Sequence, residues 1–228
     1  MNWDLFPDNL KTIKMIEVCI DQHKQKLALG CYPVEEKDNL FLFNRILGLA
    51  YAGLFRSCQY LCGVLLCINE NNLMSSYWLA RAEIENLGSM SYMLKEIEEF
   101  LLHGDLDSLH RKFNQLEYGS TSLEGSEGHC SPIQIIGSMV TEDRDVLLET
   151  YRHLGEVCHP SWNGTASKKI EYSRRVGFSE VVVDEDLFFI PCVAGCANQA
   201  LRLYDLLLHR VEECIQQLIE RYFSHDHD

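Results

Sequence analysis

The segment from about Asn39 to Asn69 constrains the fold more than any other, because it is apolar on almost every side of a helix. It contains FLFNRILGLAYAGLFRSCQYLCGVLLCI, in which Arg45, Arg56 and Gln59 are the main polar interruptions. A helix of this length and composition either crosses a bilayer or lies at the centre of a bundle. The interruptions, and flanks without a clear positive-inside signal, favour the central helix of a soluble bundle and predict no membrane partner.

Amphipathic patterns occur on both sides of this segment. From Asp8 to about Leu29 the apolar residues mostly recur at three- or four-residue steps, and Gly30 and Pro33 then end the pattern. Later stretches behave in the same way, with Thr141 as a candidate N-cap and a kink expected at Pro191. Their predicted ranges are about Leu73 to Leu102, Asp105 to Glu117, Thr141 to His159, and about Leu187 to Phe223.

These patterns predict an all-α fold, with one helical domain over residues 1–228 built as a bundle of about five or six helices. Residues 118–132 read YGSTSLEGSEGHCSP, have almost no apolar content, and are predicted to form a mobile loop. Residues 160–186 are predicted to form an irregular or short hairpin insertion before the last helix, because IEYSRRVGFSEVVV alternates. Residues 224–228 are expected to form a frayed tail.

The chain is strongly acidic, with 34 Asp and Glu against 20 Lys and Arg and a formal net charge of −14. An acidic surface repels phosphate backbones, so any contact with RNA must be local. One basic cluster lies outside the predicted helices, in the string KKIEYSRR. It consists of Lys168, Lys169, Arg174 and Arg175.

The cysteines bear on the compartment and on metal binding. The sequence MNWDLFPDNLKTIK lacks the basic start and apolar run of a secretory signal, so a cytoplasmic protein with reduced thiols is expected. Most of the ten cysteines lie in apolar helical patterns, which favours buried thiols and predicts no metal or other cofactor. Two pairs are spaced to share a helix face, so a four-cysteine zinc site stays open as an alternative. These pairs are Cys58 with Cys62 and Cys192 with Cys196.

The motif most suggestive of chemistry is YRHLGEVCHPSWNG, residues 151–164. Residues seven apart on a helix, such as Arg152 and His159, are rotated by about 20° and separated by about 10 Å along the axis. Proline after His159 disfavours helical geometry at the histidine, and the negative end of the helix dipole favours an imidazolium there. A guanidinium and an imidazolium on one face would bind an anion. The alternative is structural, because Glu156 is spaced to pair with both residues.

The string formed by Arg152, His153 and His159 resembles the R-x(4–6)-H signature of the HEPN superfamily. This resemblance implies an all-α protein that forms a homodimer and cleaves RNA without a metal, as in toxin–antitoxin, CRISPR and abortive-infection systems. It implies that His159 acts as general base or acid and that Arg152 stabilises charge growing on the phosphoryl oxygens. His153 would orient the phosphate. The basic residues that would hold the flanking RNA backbone are Lys168, Lys169, Arg174 and Arg175.

A second resemblance involves two helical segments, LARAEIENLGSMSYML and YRHLGEVCHPS. Together they are similar to a widespread family of uncharacterised bacterial helical proteins. Those proteins carry an Arg-x-x-x-Glu helix followed by a Tyr-Arg-x-Leu-x-x-x-x-His-Pro helix. The similarity covers about residues 40–165 and implies a fold rather than an activity. Arg81 and Glu85, four residues apart, are predicted to form a structural pair.

The carboxylates near Arg81 allow a metal hypothesis as well. No Glu-x-x-His pair, which helical di-metal sites use, occurs in this helical segment. A solvated, charged helix face is therefore the preferred interpretation of these residues. They are Glu83, Glu85, Glu96, Glu98 and Glu99.

Two functional hypotheses follow. The first is a HEPN-like metal-independent ribonuclease, or a degenerate relative of one, in a bacterial defence or toxin–antitoxin system. The second is a non-catalytic helical interaction protein that binds a protein partner through its acidic surface. In the second hypothesis the arginine pairs only stabilise the bundle.

Overall fold

The computed structural model describes residues 7–30, 41–70, 72–118, 131–139, 144–158 and 189–223. These residues form an all-α bundle, as predicted, and no strand occurs within these ranges. The helices of the described residues are α1 Pro7–Leu29, α2 Phe41–Asn69, α3 Leu73–His103, α4 Leu106–Tyr118, α5 Pro132–Gly137, α6 Arg144–Cys158 and α7 Ile190–Phe223.

Helix α3 lies at the centre of the described bundle and contacts α2, α4, α5, α6 and α7. Helices α2 and α3 run antiparallel. The earlier residue Gly53 lies next to Met90, and the later residue Gly63 lies next to Leu79. Helix α1 packs against α2 and α7. The core is therefore a four-helix layer of α1, α2, α3 and α7, and α5 and α6 pack on α3.

Helix α2 is the apolar segment that first suggested either a membrane span or a central helix. Within the described ranges it is the one helix long and apolar enough to cross a membrane. It packs against α1, α3 and α7, and 39% of its most apolar window is buried inside the bundle. Large apolar side chains in the rest of α2, including Phe55 and Leu66, are exposed at the protein surface.

Two predicted helix ends coincide with glycines that have a positive φ. Gly30 follows α1 with φ 76°, and its amide donates to the carbonyl of Leu27. Gly104 follows α3 with φ 72°, and its amide donates to the carbonyl of Phe100 at 2.7 Å. This left-handed geometry is strained for residues with a Cβ and is the usual way to end a helix. The prediction that the first helix ends at Gly30 is confirmed.

The described residues contain seven helices, more than the five or six predicted, because a short one was missed. Helix α5 has only six residues, too few for a periodic pattern, and depends on its N-cap. Ser131 accepts from the amide of Gln134, and the Gln134 side chain accepts from the amide of Ser131. The loop prediction for 118–132 is therefore wrong at its edges, because Tyr118 ends α4 and Pro132 begins α5.

The kink expected at Pro191 assumed that this proline lies inside the last helix, and that placement is wrong. Helix α7 begins at Ile190, so Pro191 lies in the first turn. An amide there has no acceptor within the helix, so proline breaks no hydrogen bond. The predicted N-cap Thr141, the insertion at 160–186, residues 119–130 and the tail at 224–228 lie outside the described residues.

Candidate functional site on helix α6 and its contact with α3

Helix α6 is amphipathic, and its inner face packs on α3. The inner residues recur at steps of four and three, as expected for a helix with one apolar face. Their burial fixes how the helix is rotated about its axis. These residues are Leu147, Tyr151, Leu154 and Cys158.

The outer face of α6 carries two of the predicted site residues. Arg152 and His153 are both exposed, because they lie on the side of the helix opposite Leu154. Exposed carboxylates from Glu149 and Glu156 share this face. The outer face therefore combines two groups that can bind a phosphate with two that repel one.

Tyr151 is the polar centre of the contact between α3 and α6. Its hydroxyl accepts from Nη2 of Arg81 at 2.8 Å and donates to Oε1 of Glu85 at 2.7 Å. Nε of Arg81 lies 3.5 Å from Oε1 of Glu85. The guanidinium carbon is also 4.5 Å from the centroid of the Tyr151 ring, within the range of a cation–π contact. We call these three residues the α3–α6 network.

Gly155 gives this network its space. A Cβ at Gly155 would lie 3.2 Å from Nη1 of Arg81, closer than an ordinary van der Waals contact. The glycine therefore allows the guanidinium to lie flat between the two helices. Side-chain exposures of 21% for Arg81 and 40% for Glu85 place the network at the edge of the interface rather than in the core.

The electrostatics of the network favour a cation beside a neutral phenol. Burial lowers the pKa of Arg81, but the Tyr151 hydrogen bond and the Glu85 charge outweigh burial and raise it. Burial also raises the pKa of Tyr151, and the hydrogen bond to Arg81 opposes that effect. Burial raises the pKa of the Cys158 thiol, so the thiol next to Arg81 is not a poised nucleophile.

The structure brings together some of the residues singled out in the sequence and separates others. Arg81 and Glu85 meet Tyr151, so the two motifs of the second resemblance meet in space. Arg152 faces away from this cluster. His159 directly follows Cys158, the last residue of α6, and lies outside the described residues. The basic residues Lys168, Lys169, Arg174 and Arg175 lie outside them as well.

The four-cysteine zinc alternative is not supported. No group of three or more His, Cys, Asp or Glu that could hold a metal ion occurs among the described residues. The cysteines of both i, i+4 pairs are free thiols. Burial, reinforced by the neighbouring Cys62, raises the pKa of Cys58 to about 11, so that thiol stays protonated at neutral pH. These four cysteines are Cys58, Cys62, Cys192 and Cys196.

The interpretation of Glu83 as part of a solvated charged face is wrong. Its side chain has no exposed surface, whereas Glu98 and Glu99 on the same helix are exposed as predicted. Glu83 faces α2, where Oε1 lies 2.6 Å from the hydroxyl oxygen of Ser57. Ser57 also contacts His23 of α1. This group was missed because Arg81, Glu83 and Glu85 lie close together in the sequence and together resemble a surface.

Comparison of the chain with protein-family models, with curated proteins and with solved structures found no match. The class of the protein, an all-α helical bundle, is therefore defined by its fold. Its function is argued below from its own residues.

Proposed function

We propose that the protein is a HEPN-like, metal-independent endoribonuclease, or a degenerate relative of one, acting in the cytoplasm in a bacterial defence or toxin–antitoxin setting. One observation carries this proposal. Arg152 and His153 are exposed on α6 while Tyr151 and Leu154 hold the opposite face of the helix in the bundle. A phosphodiester can therefore reach both side chains without any change in helix packing.

The proposed reaction is attack of a ribose 2′-hydroxyl on the adjacent phosphate. His159 takes the proton from the 2′-hydroxyl as its oxygen bonds to phosphorus, or gives a proton to the 5′-oxygen that leaves as its bond to phosphorus breaks. Arg152 stabilises the charge that grows on the phosphoryl oxygens, and His153 orients the phosphate. Glu149 and Glu156 oppose loose binding of polyanions, so productive binding also needs the basic cluster at residues 168–175.

The α3–α6 network has a positioning role in this proposal. Arg81 contacts Tyr151, which immediately precedes Arg152 in the chain. By fixing the rotation of α6, Arg81, Tyr151 and Glu85 determine the direction in which Arg152 points. We expect changes in this network to lower stability and to weaken cleavage only indirectly.

The test uses labelled single-stranded RNA in the presence of EDTA. The wild-type protein is expected to cleave it, and Arg152→Ala and His159→Ala are expected to abolish cleavage. Arg144→Ala is the matched control, because Arg144 is also exposed on α6 but pairs with Asp145 at the start of the helix. Wild-type protein that leaves the RNA intact, or an Arg144→Ala variant as inactive as Arg152→Ala, would rule out an active nuclease that works through Arg152.

A second candidate function, a non-catalytic interaction protein, is favoured by the exposed face of α2. Its large residues Phe41, Phe55 and Leu66 are 63%, 49% and 63% exposed. The helix contains no acidic residue in 29 positions, although the chain has 34 acidic residues. This face, which we call the α2 strip, favours an apolar contact over the acidic surface expected from composition.

A second copy of the chain fits the α2 strip. Phe41, Gly48 and Phe55 are seven residues apart and so recur on one helix face. If two strips pair antiparallel so that Phe55 faces Ala52, then Gln59 faces Gly48 and Phe41 faces Leu66. Large side chains then lie opposite small ones at the centre, and no carboxylates from the two α2 helices face each other. This is the homodimer we propose for the interaction function.

Sedimentation velocity tests the homodimer. The wild-type protein is expected to sediment as a dimer and Phe55→Glu as a monomer. Val146→Glu is the control, because Val146 is an equally exposed apolar residue on α6. A monomeric wild-type protein, or dissociation by Val146→Glu alone, would rule out the α2 strip as the contact.

A further inference from the structure

Three ionisable or hydroxyl side chains from three different helices meet in the core. They are His23 of α1, Ser57 of α2 and Glu83 of α3, and none has any exposed surface. We call them the core chain. Buried polar groups are costly unless their hydrogen bonds are satisfied, so their protonation must match their geometry.

The contacts of His23 define one end of the core chain. Nδ1 of His23 lies 2.6 Å from the carbonyl oxygen of Cys19, and Nε2 lies 3.1 Å from Oγ of Ser57. A carbonyl oxygen only accepts, so Nδ1 must carry a proton. If the ring is neutral, Nε2 is an acceptor and the Ser57 hydroxyl donates to it.

The contacts of Glu83 define the other end. Oε1 lies 2.6 Å from Oγ of Ser57, while Oε2 has no hydrogen-bond partner among the described residues. A buried carboxylate with one unpartnered oxygen is a costly arrangement. Burial raises the pKa of Glu83 to about 8, and the nearby Ser57 hydroxyl and Asn86 amide only partly oppose that effect.

Two proton assignments satisfy every short contact in the core chain. In the ionic one, a His23 imidazolium donates to Ser57 and Ser57 donates to an ionised Glu83. Burial disfavours both charges and so favours the neutral assignment. With a proton on Oε1, Glu83 donates to Ser57, Ser57 donates to Nε2 of His23, and Nδ1 of His23 donates to Cys19. All three groups are then neutral. Burial also lowers the pKa of His23, against the hydrogen bond to Cys19, which agrees with a neutral ring.

We propose that His23, Ser57 and Glu83 form a single proton-sharing unit that holds α1 against α2 and α3 while it is neutral, and that loosens α1 when the unit gains or loses a proton. The hydrogen bonds of this unit link α1 to α2 and α2 to α3 through buried polar atoms. A charge on either end would be buried without a counter-charge. The unit is therefore a pH-sensitive latch on the first helix.

The surroundings supply little compensation for such a charge. The charge of Lys26 lowers the pKa of His23 and so opposes an imidazolium. Asp205 of α7 pairs with Lys26 at the surface, and Asn86 of α3 donates to the carbonyl of Gly53. The other buried titratable groups on α1, α2, α3 and α7 are Cys19 of α1, Cys58 of α2, Tyr77 and Tyr92 of α3, and Cys196, Tyr204 and Cys214 of α7.

The direction in which stability changes with pH follows from the pKa shifts of Glu83 and His23. An unfolded glutamate ionises near about 4.3, whereas Glu83 in the fold does so at about 8, so its contribution to stability falls as pH rises between these values. His23 has a lowered pKa, so its contribution is lost as pH falls below about 6.5. Below about pH 6.5 the two slopes have opposite signs. From about pH 6.5 to 8 only the Glu83 slope is left. Because Glu83 is half ionised in the folded protein at pH 8, this slope raises the unfolding equilibrium constant about 15-fold.

Denaturant unfolding at pH 6.5 and pH 8 tests the latch in the full chain. Glutamine replaces a protonated carboxyl with a neutral donor, so Glu83→Gln is expected to lose most of the wild-type pH dependence. Glu85→Gln, the same change two residues away, is expected to keep it. If Glu83→Gln follows the wild-type curve, the proposal is overturned.

Two further measurements on folded protein keep the proposal testable if Glu83→Gln folds poorly. The ¹⁵N spectrum of wild-type His23 at pH 6.5 is expected to show a protonated Nδ1 and a bare Nε2. An imidazolium there would instead indicate a charged pair with Glu83 and overturn the neutral assignment. Hydrogen exchange in wild-type protein, corrected for intrinsic rates, is expected to lose protection in α1 first between pH 6.5 and pH 8. A uniform loss in all helices would exclude a latch on α1.

Discussion

Glu83 and Glu85 lie two residues apart on α3 and belong to polar networks of opposite character. Residues two positions apart on a helix are rotated by about 200° around its axis. The two carboxyl groups therefore point to different sides of α3. Glu85 is 40% exposed and accepts from the phenol of Tyr151 beside a guanidinium. Glu83 is fully buried against α2 and, in the neutral proton assignment above, acts as a donor. The same residue type is thus a counter-ion at the edge of the bundle and a protonated acid in its core.

The comparison also shows where the protein is sensitive to change. In the core chain Ser57 bonds to both His23 and Glu83, so its loss leaves a buried atom unsatisfied on each of them. In the α3–α6 network water can replace a lost partner, because Arg81 and Glu85 reach the surface. We therefore expect equal chemical changes to have unequal effects in the two networks, and the predictions below run from the largest to the smallest.

Ser57→Ala is expected to have the largest effect on stability. It removes the hydroxyl between His23 and Glu83, so Nε2 of His23 and Oε1 of Glu83 lose their Ser57 partner, at a cost of about 3 kcal/mol in the free energy of unfolding. Urea denaturation near pH 6.5 measures the loss. The matched control is Ser76→Ala, since Ser76 is equally buried but bonds only to the carbonyl of Leu73 in its own helix. Equal losses in the two variants would mean that the core chain contributes no more than any buried hydroxyl.

Tyr151→Phe is expected to have an intermediate effect. It keeps the ring that packs on Arg81 but removes the hydroxyl that links Arg81 to Glu85. Because both partners remain partly exposed, the expected loss is about 1 kcal/mol. The same denaturation experiment measures it. A loss as large as that of Ser57→Ala would show that the α3–α6 network is energetically part of the core.

Arg152→Ala is expected to have the smallest effect on stability. Its side chain lies on the exposed face of α6, and surface substitutions of this kind usually change stability by less than about 0.5 kcal/mol. Thermal unfolding checks this beside the RNA-cleavage assay. A clear drop in the melting temperature would indicate that Arg152 is a structural residue, and the nuclease proposal would lose its main support.

The sequence predicted the helices well where apolar residues recur without interruption. In α1 the apolar residues Ile13, Ile16, Ile20 and Leu27 recur at intervals of three or four, except that the polar residue His23 occupies the position between Ile20 and Leu27. Ser57 occupies such a step in α2 between Leu54 and Leu61. These gaps were the available signal for a buried polar group, because a polar residue at a core step must be satisfied there.

Other features depend on contacts that no local pattern contains. Glu83 lies three residues after Ala80 and directly before Ile84, so the apolar pattern allows it to be buried. The charged residues around it nevertheless favoured an exposed helix face. Its burial depends on how α2 packs against α3. The role of Tyr151 likewise depends on Arg81, which is 70 residues away in the chain. The second resemblance placed both residues in motifs but contained no information on their distance in space.

The protonation state of Glu83 is the most direct test of the difference between the two networks. Selective ¹³C labelling of glutamate side chains, with Glu83→Gln used to assign its signal, allows the Glu83 carboxyl to be followed from pH 4 to pH 9. Glu83 is predicted to be protonated at pH 7 and to titrate at about 8. A Glu83 carboxyl that is already ionised at pH 7, with a midpoint near that of an exposed glutamate, would contradict the account.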